Sequence, residues 1–243
     1  MIAIELESIR NIRDLGGTQA DGGRTIRPGC LIRAAHLGDA TNADLEALRT
    51  GHRVCTVIDL RTEEELSQWP DRAEGFEYIP CTLIDRLAGV TRERGQVKQL
   101  PDMADLYRQM MLSPTGIAGF RRALGILFDH DYAKGAVLWH CTEGKDLCGM
   151  TAALALEALG ASRDDILRDY LETNRYSLAR AQGFYEKVAP VYGEVYARSV
   201  YRSFIADARY IEAAWDAMGK DYLRGALGFD DAAIERFRDK VLA

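Results

Sequence analysis

The chain has 243 residues, 47% hydrophobic and 28% charged, with 31 Lys+Arg against 37 Asp+Glu and a formal net charge of -6. That composition excludes a disordered or collagen-like chain. The acidic balance, with no Lys/Arg stripe, argues against nucleic acid as a partner but not against a small anionic substrate.

Five cysteines, Cys30, Cys55, Cys81, Cys141 and Cys148, are odd in number and mostly far apart, unlike a disulfide framework. The first residues hold no basic start followed by an apolar run, and no apolar stretch reaches the ~18 residues that cross a membrane. The expectation is a cytoplasmic protein with reduced thiols and no transmembrane segment.

In chain order, paired glycines close a turn after Arg10, and Asp21-Gly22-Gly23 makes a second. Short strands are predicted at 24–27 and 31–33. Thr41 caps a helix that Gly51 stops. The run 54–60, VCTVIDL, is β-branched and apolar, as in a buried parallel strand. A helix over 62–69 opens on Thr62 and three glutamates, and a strand follows at 76–80. The polar stretch 83–101 reads as a loop. Helices are predicted at 105–112 and 116–128, a buried strand at 136–139, and an apolar helix at 150–159 that must be buried on all sides. Residues 163–243 read as helical. One domain over 1–243 accounts for this order: an α/β fold with a large helical C-terminal half.

The chemistry lies between strand and buried helix, in His140-Cys141-Thr142-Glu143-Gly144-Lys145-Asp146-Leu147-Cys148-Gly149. A loop there gathers backbone N–H groups at the positive end of a helix dipole, where an oxyanion fits. The same groups favour a Cys141 thiolate, which can attack a bound phosphorus. A cysteine ending a buried strand can also be a small core residue, but a core position is not followed by four polar residues and a glycine. A Walker A loop fails, because Trp139 and Asp146 stand where Gly and Ser/Thr are needed. His140, Cys141 and Cys148 are too few and too badly placed for a metal, and no cofactor is expected.

These residues resemble a known family. The bacterial atypical tyrosine and phosphoinositide phosphatases carry HCxxGKDRTG, against HCTEGKDLCG here. The likeness extends to Asn11–Gly17 (NIRDLGG), Arg27–Arg33 (RPGCLIR), Val57–Arg61 (VIDLR), Asp169–Asn174 (DYLETN) and the stretch 222–228, nearly the whole chain in order. The resemblance implies a cysteine-dependent phosphatase fold, a central mixed sheet flanked by helices. It also implies a phospho-cysteine intermediate and a phosphorylated protein or phosphoinositide as substrate, with inorganic phosphate as product. Carried over, Cys141 is the nucleophile and Asp146 the loop acid that assists proton transfer. Lys145 is the subfamily's extra cation, and Thr142, Glu143, Gly144, Lys145, Leu147, Cys148 and Gly149 form the phosphate cradle.

Two positions depart from the pattern. Leu147 replaces the arginine that grips two phosphoryl oxygens, and Cys148 replaces the Ser/Thr whose hydroxyl serves the nucleophile. Lysine brings charge but not the planar fork. One reading is a weakened phosphatase served by another arginine, with Arg61 and Arg13 as candidates; an ion pair supporting the loop is the alternative role for Arg61. The other is an impaired pseudophosphatase, a phosphate-binding or thiol redox-sensing module in which Cys148 lies beside Cys141. Trp69-Pro70-Asp71 spells a general-acid motif of another phosphatase class, but a broken helix and a capped turn explain it, and Asp146 is preferred with Asp85 behind it. The aromatics Tyr185, Tyr192, Tyr196, Tyr201, Phe204, Tyr210 and Trp215 either pack helices or rim the loop.

Overall fold

The computed structural model describes residues 1–84 and 102–243, together with residues 92–93 and 96–97. Six strands form one mixed sheet: β1 (Ile2–Ala3), β2 (Arg13–Asp14), β3 (Leu31–Ala34), β4 (Val54–Asp59), β5 (Glu77–Pro80) and, after a two-stranded ribbon of β6 (Arg92–Glu93) and β7 (Gln96–Val97), β8 (Ala136–His140). The order is β1-β2-β3-β8-β4-β5. The first three strands are antiparallel neighbours, while β3, β8, β4 and β5 run parallel. The predicted parallel strand over 54–60 pairs along both edges, and it carries apolar residues on both faces because a core covers each, with Ile58 in one and Val57 in the other.

The helices are α1 (Asn42–Glu46), α2 (Glu63–Gln68), α3 (Met103–Leu112), α4 (Pro114–Asp129), α5 (Asp146–Ala158), α6 (Arg163–Glu172), α7 (Asn174–Tyr192), α8 (Glu194–Phe204), α9 (Ala208–Met218) and α10 (Asp231–Val241). Thr41 and Thr62 each close a capping box, at α1 and α2. The larger core packs the helical half on one face of the sheet, with Trp139, Phe120, Tyr107 and Phe237 inside it. A smaller core under the other face gathers Ile4, Ile12, Leu48, Val57 and Leu138.

Two predictions are corrected. Residues 24–27 are no strand; they make single bridges, Gln19 to Thr25 and Ile26 to Leu242. The buried helix begins at Asp146 rather than Met150, so Asp146, Leu147, Cys148 and Gly149 are its first turn. Asp146 and Gly149 hid that turn, because a charged residue and a glycine look like loop while a helix N-terminus accepts both. No helix among the described residues is long and apolar enough to cross a membrane.

Candidate active site

Strand β8 delivers His140 to the C-terminal edge of the parallel strands, and the chain turns through 141–145 into α5. Gly144 makes the turn possible: its φ is +68°, and a Cβ there would stand 2.7 Å from the Ala34 carbonyl oxygen. Asn11 Nδ2 donates to the carbonyls of Glu143 at 2.9 Å and Gly144 at 3.0 Å. Arg33 Nη2 donates to the Gly144 carbonyl at 2.7 Å. With these carbonyls held by the protein, the loop's N–H groups are left for the concavity. Those of Glu143, Lys145, Asp146 and Leu147 meet no acceptor among the described residues, the condition in which a helix N-terminus receives an anion.

Beneath the loop lies a buried frame of three charges. Asp169 on α6 takes Arg13 Nε at 2.8 Å and Arg33 Nη1 at 2.6 Å, all three side chains at most 3% exposed. Arg13 also donates to Asn11 Oδ1 at 2.6 Å, so one network runs from α6 through β2 and β3 to the loop backbone. Burial alone would raise the Asp169 carboxyl, but the two guanidiniums hold it below its usual range.

Cys141 lies at the mouth of this cradle, 6% exposed. Its thiol is shifted down, chiefly because the Cys148 thiol hydrogen-bonds to it; burial opposes this, and the N–H groups of Cys148 and Gly144 assist. No cation is among the leading influences on it. Cys148 is pushed the other way, well above the ordinary thiol range, by burial and by the neighbouring Cys141.

A second buried cluster flanks the loop. Arg61 Nη2 pairs with Asp59 at 2.5 Å and Asp71 at 2.8 Å, and His140 Nε2 lies 2.9 Å from Asp71. Burial by itself would lower the His140 value, yet the Asp59 and Asp71 carboxylates win and raise it. The ligand atoms of Asp59, Asp71 and His140 lie within 4.8 Å of one another, and the guanidinium of Arg61 pairs with both carboxylates.

A family model described as the tyrosine phosphatase family matches residues 4–243. The chain belongs to that family. It is 32% identical over 256 residues to a protein of Cupriavidus necator named as a tyrosine-protein phosphatase, covering 95% of this chain and 86% of that one. It is likewise 32% identical over 286 residues to the triple specificity protein phosphatase PtpB of Mycobacterium tuberculosis, spanning both chains fully. A tyrosine-protein phosphatase of Nostoc commune is 33% identical over 151 residues, covering 60% of this chain and 49% of that one.

Within the tyrosine phosphatase fold, the residues singled out from sequence have the following places. Thr142 donates its hydroxyl to Glu65 Oε1, tying the loop to the start of α2. Glu143 pairs with Arg10 at 3.5 Å and Arg180 at 3.1 Å on the rim. The Lys145 ammonium is 1% exposed; it donates to the carbonyls of Ser203 and Ile205 at the α8–α9 junction and pairs with Asp146 Oδ1 at 3.2 Å. Asp146, 28% exposed, accepts from the Tyr107 hydroxyl at 2.7 Å. Leu147 is buried in the larger core. Gly149 lets Tyr170 pack close, since a Cβ there would lie 2.9 Å from its ring.

Neither accessory arginine has a nitrogen to spare: Arg13 is held by Asp169 and Asn11, and Arg61 by Asp59, Asp71 and the Trp69 carbonyl. Arg61 makes the supporting ion pair rather than reaching for a phosphate. Asp71 accepts from the Leu37 N–H besides Arg61, which keeps it a structural carboxylate. Asp85 lies outside the described residues. Sequence reasoning missed Asn11, Arg33 and Asp169 as loop supports, although each stands in a quoted motif. It missed Arg10 and Arg180 altogether; no local pattern marks them.

Proposed function

We propose that this protein hydrolyses phosphomonoesters through a phospho-Cys141 intermediate, slowly, on a phosphorylated protein or a phosphoinositide. The observation that carries this reading is the cradle itself: a thiol held toward its ionised form at the N-terminus of α5, with the loop carbonyls turned to Asn11 and Arg33. In the first step the Cys141 sulfur bonds to phosphorus and the P–O bond to the leaving group breaks. Asp146, at the edge of the cradle and steadied by Tyr107, gives that oxygen its proton. In the second step Asp146 takes a proton from water, the water oxygen bonds to phosphorus, and the S–P bond breaks to release inorganic phosphate.

Backbone N–H groups and the helix dipole must hold the phosphoryl oxygens, because Leu147 supplies no charge and the Lys145 ammonium is taken by Asp146 and the Ser203 and Ile205 carbonyls. Missing a charged transition-state contact costs on the order of 10²–10³ in rate. Arg10 and Arg180 at the rim offset the overall -6 charge for an approaching phosphate. A reducing cytoplasm keeps the nucleophile a thiol.

The second reading, a protein that binds phosphate without turnover, is favoured by the burial of Leu147. Steady-state hydrolysis of an aryl phosphate by the wild type and C141S separates the two. Turnover above C141S, with a phospho-enzyme trapped on Cys141, supports the proposal; equal rates with retained phosphate binding replace it with the second reading.

A further inference from the structure

The aromatic run of the helical half is only partly absorbed by the core. Tyr210 and Trp215 lie in the larger core. Phe184 stacks on Phe204 at 4.7 Å, and Tyr185 meets Tyr201 edge-on at 6.4 Å, so these rings stitch α7 to α8. Tyr192 and Tyr196 are left at the turn between the two helices, 5.5 Å apart. We propose that this turn is a docking tip that seats the protein on an anionic lipid surface. The inference concerns where the protein acts and requires no turnover at Cys141.

Three observations meet at the tip. The hairpin stands largely outside the core: across α7 and α8 only Ser177, Ala181 and Ala197 are buried. The most exposed large hydrophobic side chains among the described residues gather at its end, Val191 at 69%, Tyr192 at 68% and Val195 at 87%. The hairpin is also cationic in an acidic chain. It carries Arg175, Arg180, Lys187, Arg198 and Arg202 against Glu186 and Glu194, while the whole chain has a net charge of -6. The acid at the tip is offset, because Glu194 accepts from the Tyr185 hydroxyl and pairs with Arg198 at 3.6 Å. Lys187 makes no ion pair among the described residues.

Lys187 stands one turn before Val191, and Arg198 one turn after Val195. Cations therefore sit just behind the apolar residues, the order that a bilayer interface takes up. Valines enter the acyl boundary, tyrosine rings settle at headgroup depth, and the cations meet anionic lipids. A convex turn with three large apolar side chains falls far short of the ~800 Å² that a stable protein partner covers on each side. A second copy is the poorer occupant for that reason. The base of the hairpin is fixed beside the phosphate loop, by Arg180 to Glu143 at 3.1 Å and by Lys145 to the Ser203 carbonyl. From Ala181 to Tyr192, α7 runs about 16 Å further at ~1.5 Å per residue. Stitched by its rings, the tip needs little ordering when it docks.

The test is co-sedimentation of the full chain with large vesicles, of phosphatidylcholine alone or with about one-third phosphatidylserine. Binding is expected to the mixed vesicles and not to phosphatidylcholine alone. It should weaken in about 1 M salt, where the Debye length falls to ~3 Å. K187Q should lower the partition coefficient about fivefold, the effect of one lysine near an anionic surface. V191S/Y192S/V195S should lower it about tenfold or more, because the apolar contact is gone. These positions are exposed, and far-UV circular dichroism confirms that the fold is kept. C141S should bind as wild type does, so a protein without turnover leaves the inference standing and removes the hydrolysis reading alone. Equal binding by the triple variant, indifference to phosphatidylserine, or binding that C141S abolishes overturns the proposal. A dimer in sedimentation velocity that the triple variant divides, with no vesicle association, replaces the lipid with a second copy.

Discussion

The ammonium of Lys145 donates to the carbonyl of Ser203 at 2.5 Å, fastening the loop to the end of α8, 58 residues further along the chain. A cation in a phosphate loop is ordinarily read as a ligand for phosphate. Here it satisfies two carbonyls at a helix end, pairs with the Asp146 carboxylate at 3.2 Å and lies over the Tyr210 ring, 5.7 Å from its centre. The preceding helix, α7, meets the loop as well, where Arg180 pairs with Glu143 and stacks on Phe184 and Phe204.

Replacing Lys145 by methionine keeps the buried stem and removes the donor. The Ser203 and Ile205 carbonyls then lose a charged partner, worth about 1.5–3 kcal/mol. We expect K145M to be cut faster than wild type by a non-specific protease between residues 193 and 207, read from the masses of the first fragments. An unchanged cleavage map would show that Lys145 does not hold this junction.

The Arg13–Asp169–Arg33 frame predicts a large loss at one position. D169N leaves two buried guanidiniums without their anion, which costs about 3–5 kcal/mol. Urea denaturation followed by tryptophan fluorescence should show the midpoint fall accordingly. Because the group's folded value is depressed, its stabilisation is complete above the ordinary carboxylate value near 3.8 and disappears as pH falls through the lower folded value.

Cys148 is the first influence holding Cys141 toward its thiolate. Alanine at 148 removes that donor and should raise the Cys141 value. The rate of Cys141 alkylation by iodoacetamide, followed against pH by peptide mass spectrometry, should rise at lower pH in wild type than in C148A. Coincident profiles would assign the shift to the backbone N–H groups instead.

Restoring the missing fork tests what Leu147 withholds. L147R combined with C148T should increase aryl phosphate turnover by about 10²–10³ over wild type. The larger side chain must leave the apolar site that leucine fills, so circular dichroism and the melting temperature are measured alongside. A folded double variant with no gain would mean that something other than the arginine limits the reaction.

His140 carries a pH dependence of defined sign. Its folded value is raised by Asp59 and Asp71, so the stabilisation is fully present below the ordinary histidine value of about 6.5 and is lost as pH rises through the folded value. D71N should flatten this slope in melting temperature measured across neutral pH. A slope that survives the substitution would place its origin elsewhere.

How much of this was legible depends on range. The strand 54–59, the caps Thr41 and Thr62, and the strand–loop–helix around Cys141 are written in neighbouring residues, because periodicity and capping act over one or two turns. The replacement of the loop arginine by Leu147 was visible once HCTEGKDLCG was set against the loop of the family it resembles. The first turn of α5 was not, since Asp146 and Gly149 look like loop until the backbone is traced.

The amino-acid order by itself determined the class of the protein, pointed to Cys141 as its candidate nucleophile and displayed the two departures from the family loop. Tertiary structure alone decided what the charged residues do. Lys145 finds Ser203, Arg61 finds Asp71 and His140, and Arg13 and Arg33 share Asp169 from 156 and 136 residues away. The physical reason is that a buried charge must be paired, and its partner is set by which elements pack together rather than by what stands beside it in the chain.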